Sequence, residues 1–231
     1  FIPLVSFSQN KDKIALIDSV LTYLNQSQLF NGTVLVGEKG KVIYKKAFGI
    51  ANPETLVPLT TTSSFNLASV SKQFYTMMFM KLQEQGKLNY DDLVQKYLPI
   101  FPYANITIRH LMNQTSGLPE YFDIAQGDMT LLDTLSNKSM LEILEVKKPA
   151  LLFQPGEQWQ YCNTNYTTLA SVLENISGTT PDKFFQQYIV RPLKMKNSYV
   201  YNLMMKSYPT SRVFGFRYER GKPVLNDLIQ F

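Results

Sequence analysis

Serine and lysine stand three residues apart in the stretch "FNLASVSKQF", at Ser69 and Lys72. Because residues i and i+3 share one face of a helix, this spacing could bring the lysine amine to the serine hydroxyl. A serine hydroxyl becomes an effective nucleophile when a neighbouring group removes its proton. A lysine can act as that base when apolar surroundings favour its uncharged form. The residues around Lys72 are apolar or aromatic, as this chemistry requires: Phe65, Leu67, Val70, Phe74 and Tyr75.

The Ser-x-x-Lys spacing occurs a second time, at Ser8 and Lys11. That copy lies in a polar segment, so the context favours Ser69. A serine at the start of a helix would also direct its backbone N–H towards a developing oxyanion.

A second candidate element is Tyr161-Cys162-Asn163 in "FQPGEQWQYCNTNY". A phenol held beside an ammonium group could relay a proton from the serine to a leaving group. Asn163 could orient the lysine and hydrogen-bond an acyl amide. Taken alone, Tyr161 would be better explained as a tyrosine packed at the start of a helix.

The Tyr-x-Asn spacing also occurs at Tyr23 and at Tyr103, so the pattern is weak without its context. Only the copy at Tyr161 follows a Pro155-Gly156 turn and immediately precedes a predicted helix. Trp159 is predicted to anchor that segment.

The remaining composition excludes several classes of site. The chain has one cysteine, Cys162, and one histidine, His110, so an intrachain disulfide and a His/Cys zinc site are both excluded. We expect His110 to be structural. The net charge of +5 is modest and spread along the chain, which does not indicate a nucleic-acid partner, and no stretch has the ~20 apolar residues of a membrane helix.

Apolar periodicity and turn residues predict the order helix, hairpin, several helices and a final strand pair. This order indicates an α+β fold in which an antiparallel sheet is flanked by helices and carries a large, mainly helical subdomain. We expect a single domain over residues 10–231, with the sheet at about 10–65 and 210–231 and the helical part at about 66–209. The predicted segments are helices over 11–29, 69–85, 91–97, 108–113, 140–146, 163–177 and 181–190, a hairpin over 33–44, and strands around Gly221.

Three segments in this order resemble the serine β-lactamase-like family: "FNLASVSKQF", "LMNQTSGLPEY" and "FQPGEQWQYCNTNY". The family includes class C β-lactamases, penicillin-binding DD-peptidases and related esterases, and the Tyr-x-Asn element points to that branch. The resemblance implies that Ser69 is the acylated nucleophile, Lys72 its base, Tyr161 the proton relay and Asn163 a substrate-binding residue.

The sequence departs from the family pattern in three places. Gln114 stands where the family commonly has histidine, and Cys162 replaces a small serine, as a buried residue in our interpretation. A late Lys-Thr-Gly or His-x-Gly element is missing. We therefore expect a sequence truncated at the C-terminus, without the last strands and the final helix.

Residues 1–9 suit either the remainder of a signal peptide, which we favour, or a frayed first strand. They are compatible with a periplasmic or secreted protein.

The resemblance implies a serine hydrolase that acts through an acyl-enzyme on an ester, a D-amino-acid peptide or a β-lactam, including peptidoglycan-type substrates. It requires no metal or organic cofactor. The alternative is a non-catalytic recognition module with the same fold.

Overall fold

The computed structural model describes residues 5–124, 136–201 and 209–226, and the chain divides into two compact units. One unit comprises Phe1–Asn66 with Met204–Gln230, and the other comprises Leu67–Leu203. The described ranges contain helices and antiparallel strand pairs, which confirms the predicted α+β class. None of these helices combines the length and apolar character that a membrane span requires.

The helices are α1 (Val5–Gln26), α2 (Lys72–Glu84), α3 (Ile108–Met112), α4 (Tyr121–Ile124), α5 (Asn137–Lys147), α6 (Asn163–Ser177), α7 (Pro181–Phe185) and α8 (Arg191–Leu193). The strands are β1 (Gly32–Glu38), β2 (Lys41–Phe48), β3 (Phe216–Glu219) and β4 (Lys222–Leu225). Single turns of 3₁₀ helix lie at Ala68–Ser71 and Val94–Lys96, and a π-helical turn at Gln186–Val190 joins α7 to α8.

In the first unit, β1 and β2 form the predicted hairpin. It turns at Lys39 and Gly40, whose φ angles of 49° and 75° suit the tight turn that matches strand twist. Asp18 of α1 accepts hydrogen bonds from Tyr44 Oη at 2.7 Å and from Lys46 Nζ at 2.6 Å. These two bonds connect the helix to β2. Helix α1 begins at Val5, so the alternative of a first strand is wrong for residues 5–9, while residues 1–4 lie outside the described ranges.

The second strand pair, β3 and β4, turns at Arg220 and Gly221 as predicted. Within the described ranges these strands pair with each other and not with β1 or β2. In the part of the chain that the structure describes, the strands therefore form two antiparallel two-stranded ladders.

The second unit is built around a helical core. Helices α2 and α6 both contribute side chains that are nearly inaccessible to solvent: Met78, Phe79, Leu82, Leu169, Val172 and Leu173. Gly86 and Gly178 end these two helices with φ angles of 67° and 65°, the left-handed conformation expected after a helix C-terminus. Packing between α2 and α6 brings two segments with candidate residues into one unit.

His110 is structural, as predicted. Thr107 Oγ1 accepts from the His110 backbone N–H at 3.2 Å, and His110 Nδ1 accepts from the Thr107 N–H at 3.3 Å. This reciprocal pair caps the N-terminus of α3. Burial lowers the pKa of His110, which favours the neutral ring that can accept the second bond.

The predicted helix over 91–97 is wrong, because only Val94–Lys96 forms a 3₁₀ turn. The Val94 N–H donates to Ile106 O at 2.9 Å, and Asp92 O accepts from the Ile108 N–H at 3.0 Å. These contacts occupy groups that an α-helix would use internally.

The other helices follow the sequence more closely. Helix α5 is longer than predicted, because Ser136 caps it at Asn137. Thr180 caps α7 and Pro181 occupies its first turn, as predicted.

Candidate active site

Ser69 lies on the 3₁₀ turn that precedes α2, so the α-helix begins three residues later than predicted. The preceding residue, Ala68, has a φ of 43°, which is uncommon for a residue other than glycine. Such a conformation costs about 1–2 kcal/mol and tends to occur at functional sites. The turn is supported by Ser71 Oγ, which donates to Ala68 O at 2.6 Å. Ser69 itself is exposed.

Lys72 contacts Ser69 directly, as the spacing predicts. Its Nζ donates to Ser69 Oγ at 3.0 Å and to Asn163 Oδ1 at 2.8 Å. The same Nζ lies 4.9 Å from the ring centroid of Tyr161 and 5.4 Å from that of Tyr166. Aromatic faces therefore line one side of the amine.

The predicted apolar neighbours of Lys72 are partly wrong. Leu67 and Val70 are 42% and 59% exposed. The aromatic contacts of the amine come from Tyr161 and Tyr166, outside its own segment.

Tyr161 also contacts the serine. Its Oη donates to Ser69 Oγ at 2.5 Å and to Asn163 Oδ1 at 3.2 Å. The four residues predicted from the sequence are thus joined by hydrogen bonds into one cluster, with Ser69 Oγ between an amine and a phenol.

The other copies of the Ser-x-x-Lys and Tyr-x-Asn motifs lie outside this cluster. Ser8 lies on α1, and Tyr23 is 66% exposed on the same helix. Tyr103 is buried, and its hydroxyl donates to Pro149 O at 2.6 Å.

Glu120 is a member of this cluster that the sequence analysis missed. Its Oε2 accepts from the Asn163 backbone N–H at 2.8 Å and from Asn163 Nδ2 at 3.3 Å. The only sequence signal was its place within "LMNQTSGLPEY". Because a carboxylate is favourable at a helix N-terminus, Glu120 supplies α6 with the cap that Cys162 does not provide.

Gln114, the residue that departs from the family pattern, is buried behind the tyrosine segment. Its Oε1 accepts from the Cys162 N–H at 2.9 Å and from Asn165 Nδ2 at 2.5 Å. Ser116 Oγ donates to Asn165 Oδ1 at 2.5 Å. This network fixes residues 114–116 against the start of α6.

Gly117 allows the same loop to approach the segment that precedes Tyr161. Its φ is 76°, and a Cβ at this position would lie 2.1 Å from Phe153 O. The Leu152 N–H donates to Gly117 O at 2.8 Å, and the Gly156 N–H donates to Thr115 O at 2.8 Å. A side chain at residue 117 would therefore separate the two segments.

Cys162 is buried, as predicted, and its Sγ donates to Pro119 O at 3.4 Å. Burial raises the pKa of its thiol, and the charge of Glu120 acts in the same direction. Trp159 does not anchor the segment as predicted, because it is 68% exposed.

A cavity of about 250 Å³ adjoins the cluster. Lys72 and Asn163 line it together with three tyrosines, Tyr75, Tyr121 and Tyr166. In the parts of the chain that the structure describes, no three His, Cys, Asp or Glu side chains converge to hold a metal ion.

The profile of the family described as Beta-lactamase matches residues 17–213, which is most of the chain. The chain belongs to the Beta-lactamase family. Among its relatives, "Penicillin-binding protein 4*" of Bacillus subtilis (strain 168) is 38% identical over 194 residues. That match covers 84% of this chain and 43% of the relative, so the chain spans less than half of the relative's length.

Two solved structures share the fold of this chain. The penicillin-binding protein from Bacillus halodurans has a TM-score of 0.75 at 26% identity, over 89% of this chain and 63% of its own. EstCE1, described as a hydrolase with promiscuous acyltransferase activity, has a TM-score of 0.77 at 26% identity, over 94% of this chain and 59% of its own. These comparisons confirm the resemblance seen in the three sequence segments.

Proposed function

We propose that this chain carries the acylation site of a serine hydrolase, with Ser69 as the nucleophile, Lys72 and Tyr161 as its proton-transfer partners and Asn163 as a substrate-binding residue. The observation that carries the proposal is the position of Ser69 Oγ, 3.0 Å from Lys72 Nζ and 2.5 Å from Tyr161 Oη. A nucleophile within hydrogen-bond reach of a base that a third group orients is the geometry of covalent catalysis. Asn163, which accepts from both partners, is that third group.

In the proposed reaction, Ser69 Oγ attacks a substrate carbonyl carbon. Lys72 acts as the base that takes its proton and passes it on to Tyr161. The backbone N–H of Ser69 donates to the developing oxyanion. As the tetrahedral intermediate collapses, Tyr161 delivers a proton to the leaving group and an ester forms on Ser69.

Deacylation reverses these roles with water as the nucleophile. The Lys72–Tyr161 pair takes a proton from the attacking water, and Ser69 Oγ leaves as its ester bond breaks and recovers a proton. The products are the released acid and the free serine, and neither step uses a metal or an organic cofactor.

The proposed substrates are esters, D-amino-acid peptides of the peptidoglycan type, and β-lactams. The cavity beside Lys72 and Asn163 has room for an acyl substituent of a few heavy atoms. The names of the Bacillus relative and of EstCE1 support penicillin binding and acyl transfer as the chemistry to test first. Peptidoglycan substrates would imply action outside the cytoplasm, which we propose on the same basis.

A panel of three substrates tests this proposal: an activated phenyl ester, a D-Ala-D-Ala peptide and a chromogenic cephalosporin, each with the parent chain and with Ser69→Ala. Turnover by the parent alone would support the proposal and identify the substrate class. A folded chain that turns over none of them and takes up no active-site label would contradict it and favour the non-catalytic recognition module.

A further inference from the structure

We infer that Glu120 is a positioning residue that holds the side-chain amide of Asn163 in one orientation and thereby places its carbonyl oxygen against Lys72. The inference rests on the proposed function for its kinetic consequence, although the orientation itself can be measured without any reaction. Glu120 is half-buried, in the loop that leads into α4.

The contacts of Asn163 show why its orientation depends on Glu120. Its Oδ1 accepts from Lys72 Nζ at 2.8 Å and from Tyr161 Oη at 3.2 Å, while its Nδ2 donates to Glu120 Oε2 at 3.3 Å. If the amide were flipped, its NH₂ group would face the Lys72 amine and its oxygen would face a carboxylate. An amide can donate through nitrogen only and accept through oxygen only, so the flipped state loses these bonds.

Glu120 is itself held firmly enough to impose this choice. The backbone N–H groups of Asn163 and Tyr121 donate to its two carboxylate oxygens at 2.8 and 3.2 Å. Next to it, Pro119 O accepts from Thr164 Oγ1 at 2.8 Å. The carboxylate is therefore fixed to the N-terminus of α6, on the side of Asn163 away from Lys72.

The orientation has a consequence for the reacting groups. An Asn163 oxygen that accepts from both Lys72 and Tyr161 holds the amine and the phenol together, each within hydrogen-bond distance of Ser69 Oγ. One Nδ2 proton is directed to Glu120, which leaves the second available to a substrate carbonyl. Glu120 thus acts on the reaction through Asn163 and without contact with Ser69.

A double-mutant cycle on this chain tests the kinetic part. We expect Glu120→Gln, whose amide can donate to Asn163 Oδ1 and compete with Lys72, to slow fluorophosphonate labelling of Ser69 on the order of 10- to 100-fold. In the Asn163→Ala background the same change should have almost no further effect, because the group through which Glu120 acts is gone. Additive losses would overturn the inference.

A matched control separates positioning from helix capping. Thr180→Ala removes the cap of α7, which should lower the melting temperature without slowing labelling. If Glu120→Gln and Thr180→Ala lower stability equally and neither slows labelling, then Glu120 is only a cap and the inference is wrong.

Nuclear magnetic resonance of ¹⁵N-asparagine-labelled protein tests the orientation directly. The side-chain amide signal of Asn163, assigned by its loss in Asn163→Ala, should move in Glu120→Gln and stay in place in Thr180→Ala. An unmoved signal would overturn the inference. If the Asn163 signal moves in Glu120→Gln but the parent chain takes up no label, the result contradicts the proposed function and leaves the inferred orientation intact.

Discussion

The hydroxyl of Tyr161 donates a 2.5 Å hydrogen bond to Ser69 Oγ across 92 residues of sequence. Ser69 precedes α2 and Tyr161 precedes α6, so packing between these helices sets the distance. The proposed catalytic geometry therefore depends on the fold of the helical unit as well as on the four polar residues.

Lys72→Met removes the amine and keeps the aliphatic stem. We expect labelling of Ser69 by a fluorophosphonate to slow by about 10²- to 10⁴-fold, the usual contribution of a positioned acid or base. Lys81→Met is the matched control on α2, because Lys81 forms a surface ion pair with Glu84. Second-order labelling rates from intact-protein mass spectra check this, and equal rates for the two variants would contradict the role of Lys72.

Gln114→Met keeps the length of the side chain and removes the acceptor for Cys162 and Asn165. Each buried donor left without a partner should cost about 1–3 kcal/mol in the free energy of unfolding. The exposed residue Gln158 provides the control, since Gln158→Met should change that energy by no more than about 0.5 kcal/mol. Urea denaturation measures both, and equal midpoints would show that the network carries little energy.

Gly117→Ala and Gly178→Ala form a pair that separates backbone strain from steric overlap. Both glycines have positive φ. A Cβ at Gly117 would lie 2.1 Å from Phe153 O, whereas a Cβ at Gly178 would have no atom within 4 Å. We expect Gly178→Ala to lower the free energy of unfolding by about 1–2 kcal/mol. Gly117→Ala should lower it by about 1–3 kcal/mol more through overpacking, and should also slow labelling. Thermal melts that rank the two variants equally would contradict the close approach to Phe153.

Cys162 should resist alkylation in the folded chain. Burial raises the pKa of its thiol and blocks access, so at pH 8 the reactive thiolate is scarcer than for an exposed cysteine. Iodoacetamide should react slowly with the native protein and rapidly after denaturation in urea. Fast native alkylation would contradict the buried position of Cys162.

Ser69 and Lys72 could be predicted from the sequence because their interaction is local. Residues three apart on a helical turn must lie close together, and the context distinguishes them from Ser8 and Lys11. Tyr161 and Asn163 needed the family resemblance, since no spacing rule connects them to a serine some 90 residues away. Periodicity also identified the hairpin and most of the helices, whose caps are encoded locally.

Glu120 and the function of Gln114 could not be predicted, because both act through tertiary hydrogen bonds to the start of α6. The predicted helix over 91–97 failed for a related reason: the Val94 N–H pairs with Ile106 O instead of a carbonyl of its own turn. Trp159 was taken as an anchor from its size, and its 68% exposure shows that size alone does not determine burial.

The most direct test of the central claim is tandem mass spectrometry of the chain after incubation with a fluorophosphonate, with Ser69→Ala and Ser8→Ala alongside. We expect one adduct, mapped to Ser69, which is lost in Ser69→Ala and retained in Ser8→Ala. An adduct that persists in Ser69→Ala, or a folded parent chain that acquires none, would contradict Ser69 as the activated nucleophile.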